Sequence, residues 1–278
     1  FLILFSAWTI VRAANPDAAY TEKPMELAFI NSILKSTNFP PEDPWLSGYA
    51  ISYYYFGYVI VAMLIRLTGV ASGVGFNLAV ASWFALAALT SYGVVYNLLS
   101  VANRASEERG KRLFNPQWHA LLAPVMLLIV SNLGGLLEVL HASGQFWQKG
   151  PTGWASDFWT WLAMPELTSP PSEPLGWVPE RVSGIWWWRA SRVVQDFDIS
   201  GGWREVIDEF PFFSYYLADL HPHVLSMPFA MLAVGMGLNL YLLGEKISFR
   251  LLRLRLWARQ VARKRSAASP AAVRAPSM

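Results

Sequence analysis

The amino-acid sequence predicts an all-α, polytopic transmembrane helical bundle with loops at the membrane surface. Of its 278 residues, 54% are hydrophobic and only 15% are charged, whereas soluble globular chains carry about 25% charged residues. The mean hydropathy is +0.31, and the apolar residues gather into long stretches. A chain of this composition has too few polar residues to cover a water-facing surface, which excludes an ordinary soluble domain.

Four apolar stretches have the length needed to cross a hydrocarbon core of roughly 30 Å. They cover residues 51–70, 75–101, 118–140 and 224–243. A further stretch, residues 1–11, has about half the length of a span and is interpreted as part of another transmembrane helix. A signal-peptide hydrophobic region is the competing interpretation of that stretch. The sequence therefore predicts about five membrane helices.

The charge pattern divides the chain into a transmembrane domain, residues 1–245, and a basic cytoplasmic tail, residues 246–278, whose end is expected to be disordered. The formal net charge is only +3, and much of the basic charge lies in the tail, so the pattern excludes a nucleic-acid partner. The absence of cysteine excludes a disulfide framework and a thiolate metal site. The expected location is the plasma membrane, crossed several times.

Two loops differ in composition from the predicted helices. The first, residues 12–49, is rich in acidic residues and proline. The second, residues 141–222, is rich in tryptophan, which prefers the headgroup layer because its ring is apolar and its N–H stays hydrated. This tryptophan-rich loop is therefore expected to lie on the membrane surface, in contact with lipids. A platform for stacking sugar rings is the alternative.

The sidedness of the two loops stays open at the level of sequence. Basic residues at 104–112 and in the tail indicate the cytoplasmic face. Counting crossings from them puts the tryptophan-rich loop outside and the first loop inside, on opposite faces. Three solutions remain: a re-entrant or half-spanning segment, a hidden crossing within residues 156–194, or two loops that never meet.

Five short motifs, in order along the chain, carry a family resemblance. They are EKPME (22–26), YYYFG (53–57), WWWR (186–189), EFPFF (209–213) and DLHPH (219–223). They resemble the YYY-domain integral membrane proteins, a family classed as a domain of unknown function. The resemblance covers most of the chain up to about residue 241. It implies an integral membrane protein and no particular reaction.

A second resemblance implies an activity. An acidic residue after the first helix, either Glu22 or Glu26, is followed by a helical stretch and an aromatic entry into the next apolar segment. This order is similar to the first external loop of the GT-C glycosyltransferases, which use polyprenyl-phosphate sugars. The second acidic position of those enzymes, at the start of a later membrane helix, would fall on Asp219. The implied substrate is a polyprenyl-phosphate sugar.

The chemistry of such a transfer assigns roles to these residues. Glu22 or Glu26 would act as the base that deprotonates an acceptor hydroxyl, with Asp219 as a further catalytic carboxylate. The departing phosphate needs a lasting positive charge with two donors, which suits an arginine of the tryptophan-rich loop. The expected substrate-binding residues are Tyr53, Tyr54, Tyr55, Arg189, Arg192 and His221.

A metal site is a separate expectation at the start of the last apolar segment. Asp219, His221 and His223 alternate along the chain, so in an extended segment their side chains share one face. Pro222 disfavours a helical conformation for His221, which supports such a segment. Imidazole and carboxylate suit zinc, manganese or iron. Hydrogen bonding and capping of the helix that follows are the alternative roles.

The function favoured by these patterns is sugar transfer from a polyprenyl-phosphate donor at the extracytoplasmic face. A transporter or lipid-handling channel is the alternative from another class, because acids and histidines near helix entrances can bind ions or protons. A non-catalytic membrane scaffold is a third. The sequence identifies no cofactor beyond the divalent metal ion of the expected site.

Overall fold

The computed structural model describes residues 1–107, 114–151, 153–164, 167–178, 188 and 190–244. The chain forms two compact units, residues 1–231 and 232–278. The predicted basic tail, residues 246–278, lies outside the described residues. The larger unit contains the helices and loops on which the candidate site is built.

Helices make up most of the described chain, and the predicted all-α class is confirmed. The helices are α1 (Leu2–Ala14), α2 (Lys23–Lys35), α3 (Phe56–Thr68), α4 (Ser72–Glu107), α5 (Pro116–His119), α6 (Leu122–Val125), α7 (Gly134–Ala142), α8 (Asp157–Leu162), α9 (Pro211–Leu217) and α10 (Pro222–Gly244). A π-helical turn, Met126–Val130, continues α6. Proline begins several of these helices, where its missing N–H costs no hydrogen bond.

Two small antiparallel hairpins lie in the tryptophan-rich loop. The first pairs β1 (Gln148–Gly150) with β2 (Gly153–Ala155), and the second pairs β3 (Gln195–Phe197) with β4 (Trp203–Glu205). In the second hairpin, Asp198 accepts hydrogen bonds from the backbone of the turn and pairs with Arg204 at 2.8 Å. The loop therefore has its own local structure.

Within the described residues, two helices are long and apolar enough to cross a membrane, Ser72–Arg104 and Pro222–Gly244. A third candidate is the bent pair Pro116–Val130 and Gly134–Ala142, whose halves meet at 66°. The bend falls at Ser131, which has a positive φ of 53° and follows the π-helical turn.

The prediction of about five spanning helices is therefore too high for the described chain. The predicted span 51–70 contains only α3, whose 13 residues reach about 20 Å at 1.5 Å per residue. Residues 51–55 of the predicted span are not helical, and Gly69, with φ 70°, ends the helix in the left-handed conformation. Helix α1 also has 13 residues. Hydropathy alone does not register such helix ends.

The core of the larger unit joins α2, α3, α4, α9 and the start of α10. Trp83 is buried at its centre and donates from Nε1 to the carbonyl of Leu225 at 2.7 Å. Tyr215, also buried, donates to the carbonyl of Trp83 at 3.2 Å. These two hydrogen bonds tie α9 and the start of α10 to the middle of the long α4.

The glycine of the YYYFG motif, Gly57, is required by the close packing of α3 on α10. A β-carbon at this position would lie 2.6 Å from Cδ1 of Leu225, so only glycine lets α3 pack this closely on α10.

Hydrogen bonds also hold the first loop where it begins. Arg12 donates twice to Asn77 of α4, at 2.9 and 2.8 Å. The loop between α1 and α2 is thereby fixed against α4.

Candidate functional site

Three carboxylates surround one imidazole at the start of α10. Oε1 of Glu26 lies 3.0 Å and Oδ2 of Asp219 3.6 Å from Nδ1 of His221, while Oε2 of Glu22 lies 2.5 Å from Nε2. These four residues are named the carboxylate–histidine cluster. Its two halves are almost two hundred positions apart in the chain.

Two helix starts hold the cluster together. Glu22 precedes α2, and Glu26 lies in its first turn, where a carboxylate interacts favourably with the helix dipole. On the other side, Ala218 ends α9 with φ 64°, and a short connection leads to Pro222 at the start of α10. Within that connection the N–H of Leu220 donates to Oε2 of Glu26 at 3.0 Å.

The four side chains differ sharply in exposure. Glu26 is fully buried, and the side chains of Asp219 and His221 are 4% and 14% exposed, whereas that of Glu22 is 56% exposed. Oε1 of Glu26 and Nδ1 of His221 approach at 3.0 Å, but neither has a hydrogen bond within the described residues. The cluster is therefore buried on one side and open at Glu22.

Burial and mutual charge alter the titration of the cluster. Removal from water, followed by the negative charge of Glu26, raises the pKa of Asp219 to about 6. The adjacent Glu26 carboxylate raises the pKa of His221 to about 9 despite the opposing effect of burial. At neutral pH and without a further ligand, the imidazole is therefore cationic.

His223 belongs to a second contact set, named the His223 set, with Glu209 and Ser214. Nε2 of His223 lies 2.9 Å from Oε2 of Glu209 and 3.1 Å from Oγ of Ser214, and Ser214 donates to Glu209 at 3.1 Å. Both partners meet the same ring nitrogen, unlike a catalytic triad, in which the imidazole bridges through both nitrogens. Hydrogen bonding to His223 lowers the pKa of Glu209.

A largely apolar groove of about 860 Å³ runs between the start of α3 and the start of α10. Residues 53–55 line it together with Ile60, Leu225 and Phe229. His223 contributes a polar edge. The ring of His223 lies 5.8 Å from that of His221, so this polar edge of the groove is near the carboxylate–histidine cluster.

The predicted substrate-binding tyrosines and histidine lie in two places. Tyr53, Tyr54 and Tyr55 line the groove; Tyr54 is 79% exposed, and the ring of Tyr53 lies 5.8 Å from that of Phe29. His221 lies in the cluster.

Arg192 makes its contacts within the tryptophan-rich loop. Its guanidinium lies 3.7 Å from the ring centroid of Trp188, it donates to Ser191 at 2.6 Å, and it is 3.9 Å from Glu205. These partners differ from the members of the cluster. Arg189 lies outside the described residues.

The structure groups the possible metal ligands differently from the sequence. Donor atoms of Glu26, Asp219 and His221 all lie within 4.8 Å of one another. His223, expected as the third ligand, instead turns Nε2 to the His223 set. Sequence reasoning named Glu26 only as a base, because nothing local in the chain reveals its contact with residues 219–221.

Sequence reasoning also missed Thr21, Lys23, Glu209 and Ser214. Thr21 donates to Oδ1 of Asp219 at 3.3 Å, and Lys23 donates to the carbonyl of Leu217 at 3.2 Å. Thr21 directly precedes the EKPME motif, Lys23 lies within it, and Glu209 opens the EFPFF motif, so the position of these residues at a motif was an available signal. Ser214 had none.

Direct contact between the two halves of the cluster also bears on sidedness. Glu22 and Glu26 come from the first loop, whereas Asp219 and His221 end the tryptophan-rich loop. Groups 3.0 Å apart lie on the same side of a bilayer. The loops therefore meet, which rules out the third solution offered by the sequence.

Residues 1–262 match the family described as uncharacterized membrane protein, DUF2298. The chain belongs to this family. The match agrees with the YYY-type membrane family inferred from the motifs, and it supports membrane location through apolar helices. No curated protein and no solved structure matches the chain. The resemblance to GT-C glycosyltransferases is not confirmed by any match.

Proposed function

We propose that this protein transfers a sugar from a polyprenyl-phosphate donor to a hydroxyl acceptor at the extracytoplasmic surface of the plasma membrane, in a chain that crosses the membrane several times. The observation that carries the proposal is the contact between Glu22 and His221 beside the apolar groove. A lipid-linked sugar phosphate needs an apolar path for its chain next to charged groups for its head. The cluster and the groove together supply both.

The groove suits the lipid part of the donor. Its volume of about 860 Å³ lies within the range of about 300–1,000 Å³ that is typical of small-molecule sites. Aliphatic and aromatic side chains, among them Ile60, Leu225 and Phe229, line its walls. An isoprenoid chain along these walls would bring its phosphate towards His223 and the cluster.

The exposure of the acids favours Glu22 as the base over Glu26. A general base must come within hydrogen-bond reach of the hydroxyl that it deprotonates. Glu22 is more than half exposed, whereas Glu26 is fully buried and accepts from the backbone of Leu220. Glu26 and Asp219 therefore act as positioning residues that orient and charge His221.

The transfer step follows from these roles. Glu22 accepts the proton of the acceptor hydroxyl while the oxygen of that hydroxyl forms a bond to the anomeric carbon of the donor sugar. The bond between that carbon and the phosphate oxygen breaks, and its electron pair leaves with polyprenyl phosphate. Positive charge at this cluster, carried by His221 when no metal ion is bound there, lowers the energy of the departing phosphate. In this proposal His221 takes the role that the sequence suggested for an arginine, because Arg192 is stacked on Trp188.

The test is transfer from radiolabelled polyprenyl-phosphate sugars by the full chain in detergent or vesicles. Glu22→Gln keeps the shape of the side chain and removes the base, so turnover should fall by about 10²–10⁴. Glu173→Gln is the matched control, because Glu173 is an exposed acid paired with Lys149 on the surface. Undiminished turnover in Glu22→Gln contradicts the proposal. Ion or lipid flux without donor consumption would favour a transporter or channel.

A further inference from the structure

We infer that Glu26, Asp219 and His221 form a binding site for a divalent transition-metal ion. The inference goes beyond the proposed transfer and does not require it, because binding can be measured without any sugar donor. It rests on unpartnered buried atoms, on ligand spacing and on hydrogen bonds that hold each side chain by its other atom.

Two buried polar atoms face each other without a hydrogen bond. Glu26 is fully buried and its Oε1 has no hydrogen-bond partner among the described residues; the same holds for Nδ1 of His221. When His221 is neutral, Oε1 of Glu26 also lacks a charged partner, and leaving a buried carboxylate oxygen unsatisfied costs about 1–3 kcal/mol or more. An ion between the two atoms would satisfy both at once.

The spacing of the donor atoms fits one ion. Nδ1 of His221 is 3.0 Å from Oε1 of Glu26 and 3.6 Å from Oδ2 of Asp219, and all three donors lie within 4.8 Å of one another. Ligands at about 2.0–2.2 Å from zinc in tetrahedral geometry are roughly 3.4 Å apart. Small side-chain adjustments would therefore complete three coordination bonds.

The ligating atoms are already directed by their neighbours. Oε2 of Glu26 accepts from the N–H of Leu220 at 3.0 Å, which turns Oε1 towards His221. Oδ1 of Asp219 accepts from Thr21 at 3.3 Å, which leaves Oδ2 on the side of the imidazole.

Glu22 provides the outer support of the histidine ligand. Its Oε2 lies 2.5 Å from Nε2 of His221, the nitrogen opposite the proposed metal-binding atom. Metal-ligating histidines usually donate their second N–H to a carboxylate or carbonyl, which fixes the tautomer and the ring. The Glu22–His221 contact has this form.

Charge and ligand type indicate the class of ion. As carboxylates, the two proposed acidic ligands, Glu26 and Asp219, supply two formal negative charges, which match a divalent ion. One imidazole and two carboxylates suit Zn²⁺, Mn²⁺ or Fe²⁺ better than Ca²⁺ or Mg²⁺, which favour oxygen ligands alone.

The inference is tested on the full chain in detergent, stripped of metal with chelator and titrated with Zn²⁺ and with Mn²⁺ by calorimetry. The expected result is one ion per chain, bound at least tenfold more weakly by Asp219→Asn and about tenfold more weakly by Glu22→Gln. His223→Gln is the matched control and should bind within twofold of the native chain. Absence of binding, or equal loss in His223→Gln and Asp219→Asn, would overturn the inference.

A spectroscopic measurement on the native chain guards against variants that fail to fold. Bound Mn²⁺ should show, in pulsed electron paramagnetic resonance, the coupling of one imidazole nitrogen. The same coupling should persist in His223→Gln. Bound Mn²⁺ without nitrogen coupling would contradict ligation by His221.

Discussion

His221 and His223 are two positions apart, yet the structure gives them opposite surroundings. His221 is nearly buried, and its carboxylate neighbours include two from the distant start of α2. His223 is 46% exposed and is held by Glu209 and Ser214, which lie at or near α9. Local contacts satisfy His223. His221 depends on long-range contacts, which leave its Nδ1 and Oε1 of Glu26 without a hydrogen bond. The comparison separates a site that can take a ligand from one that mainly fixes a helix start.

The largest expected difference between the two regions is in stability. Glu26→Ala removes the acceptor of Leu220 and a buried charge opposite His221, so the free energy of unfolding should fall by about 3–5 kcal/mol. Glu209→Ala breaks a partly exposed contact and should cost about 1 kcal/mol or less. Thermal unfolding in detergent, followed by tryptophan fluorescence, measures both. Equal losses would remove the distinction between the regions.

The two regions should also respond to pH with opposite signs. The pKa of His221 is raised from 6.5 to about 9, so its stabilising effect is complete below about pH 6.5 and is lost as the pH rises through 9. In the metal-free chain this loss should amount to about 2–3 kcal/mol between pH 7 and pH 10. The pKa of Glu209 is lowered, so its contribution is present above its unfolded pKa and is lost as the pH falls.

Unfolding of metal-free protein across this pH range measures the effect. His223→Gln should keep the loss of stability at alkaline pH, which comes from His221, and weaken the loss at acid pH, which comes from Glu209. An alkaline loss that disappears in His223→Gln would mean that the cationic histidine had been assigned to the wrong set.

A smaller effect on stability is expected at the packing of α3 on the start of α10. Gly57→Ala places a methyl group 2.6 Å from Leu225 and should cost about 1–3 kcal/mol through overpacking. Gly93→Ala is the matched control, because no atom lies within 4 Å of its added β-carbon, and alanine in a helix should stabilise by about 0.5–1 kcal/mol. Similar melting temperatures for the two variants would contradict close packing at Gly57.

The sequence predicted the parts of this site better than their assembly. Glu22, Glu26, Asp219 and His221 were all singled out because they lie in short motifs with acid–base character. Their convergence on one imidazole was not predictable, since it depends on a contact across almost two hundred positions. The grouping of His223 with Glu209 was missed for the same reason.

Hydropathy performed unevenly on the membrane segments. It found the apolar stretches that became α4 and α10, where the helices are long and uninterrupted. It overestimated the length of continuous helix in residues 51–70, where Gly69 ends a short helix, and in residues 118–140, where the chain bends at Ser131. These outcomes depend on backbone conformation at single residues, which an average over many side chains does not contain.

The central claim is that the first loop and the end of the tryptophan-rich loop form one site on the outer side of the membrane. Because the chain has no cysteine, single cysteines at Tyr20 and Tyr216, both exposed, can be labelled in intact cells with a membrane-impermeant maleimide. A cysteine at Arg104, at the far end of the spanning part of α4, is the control. We expect Tyr20→Cys and Tyr216→Cys to be labelled in intact cells and Arg104→Cys only after permeabilisation; labelling of Tyr20→Cys and Tyr216→Cys from opposite faces would contradict the account.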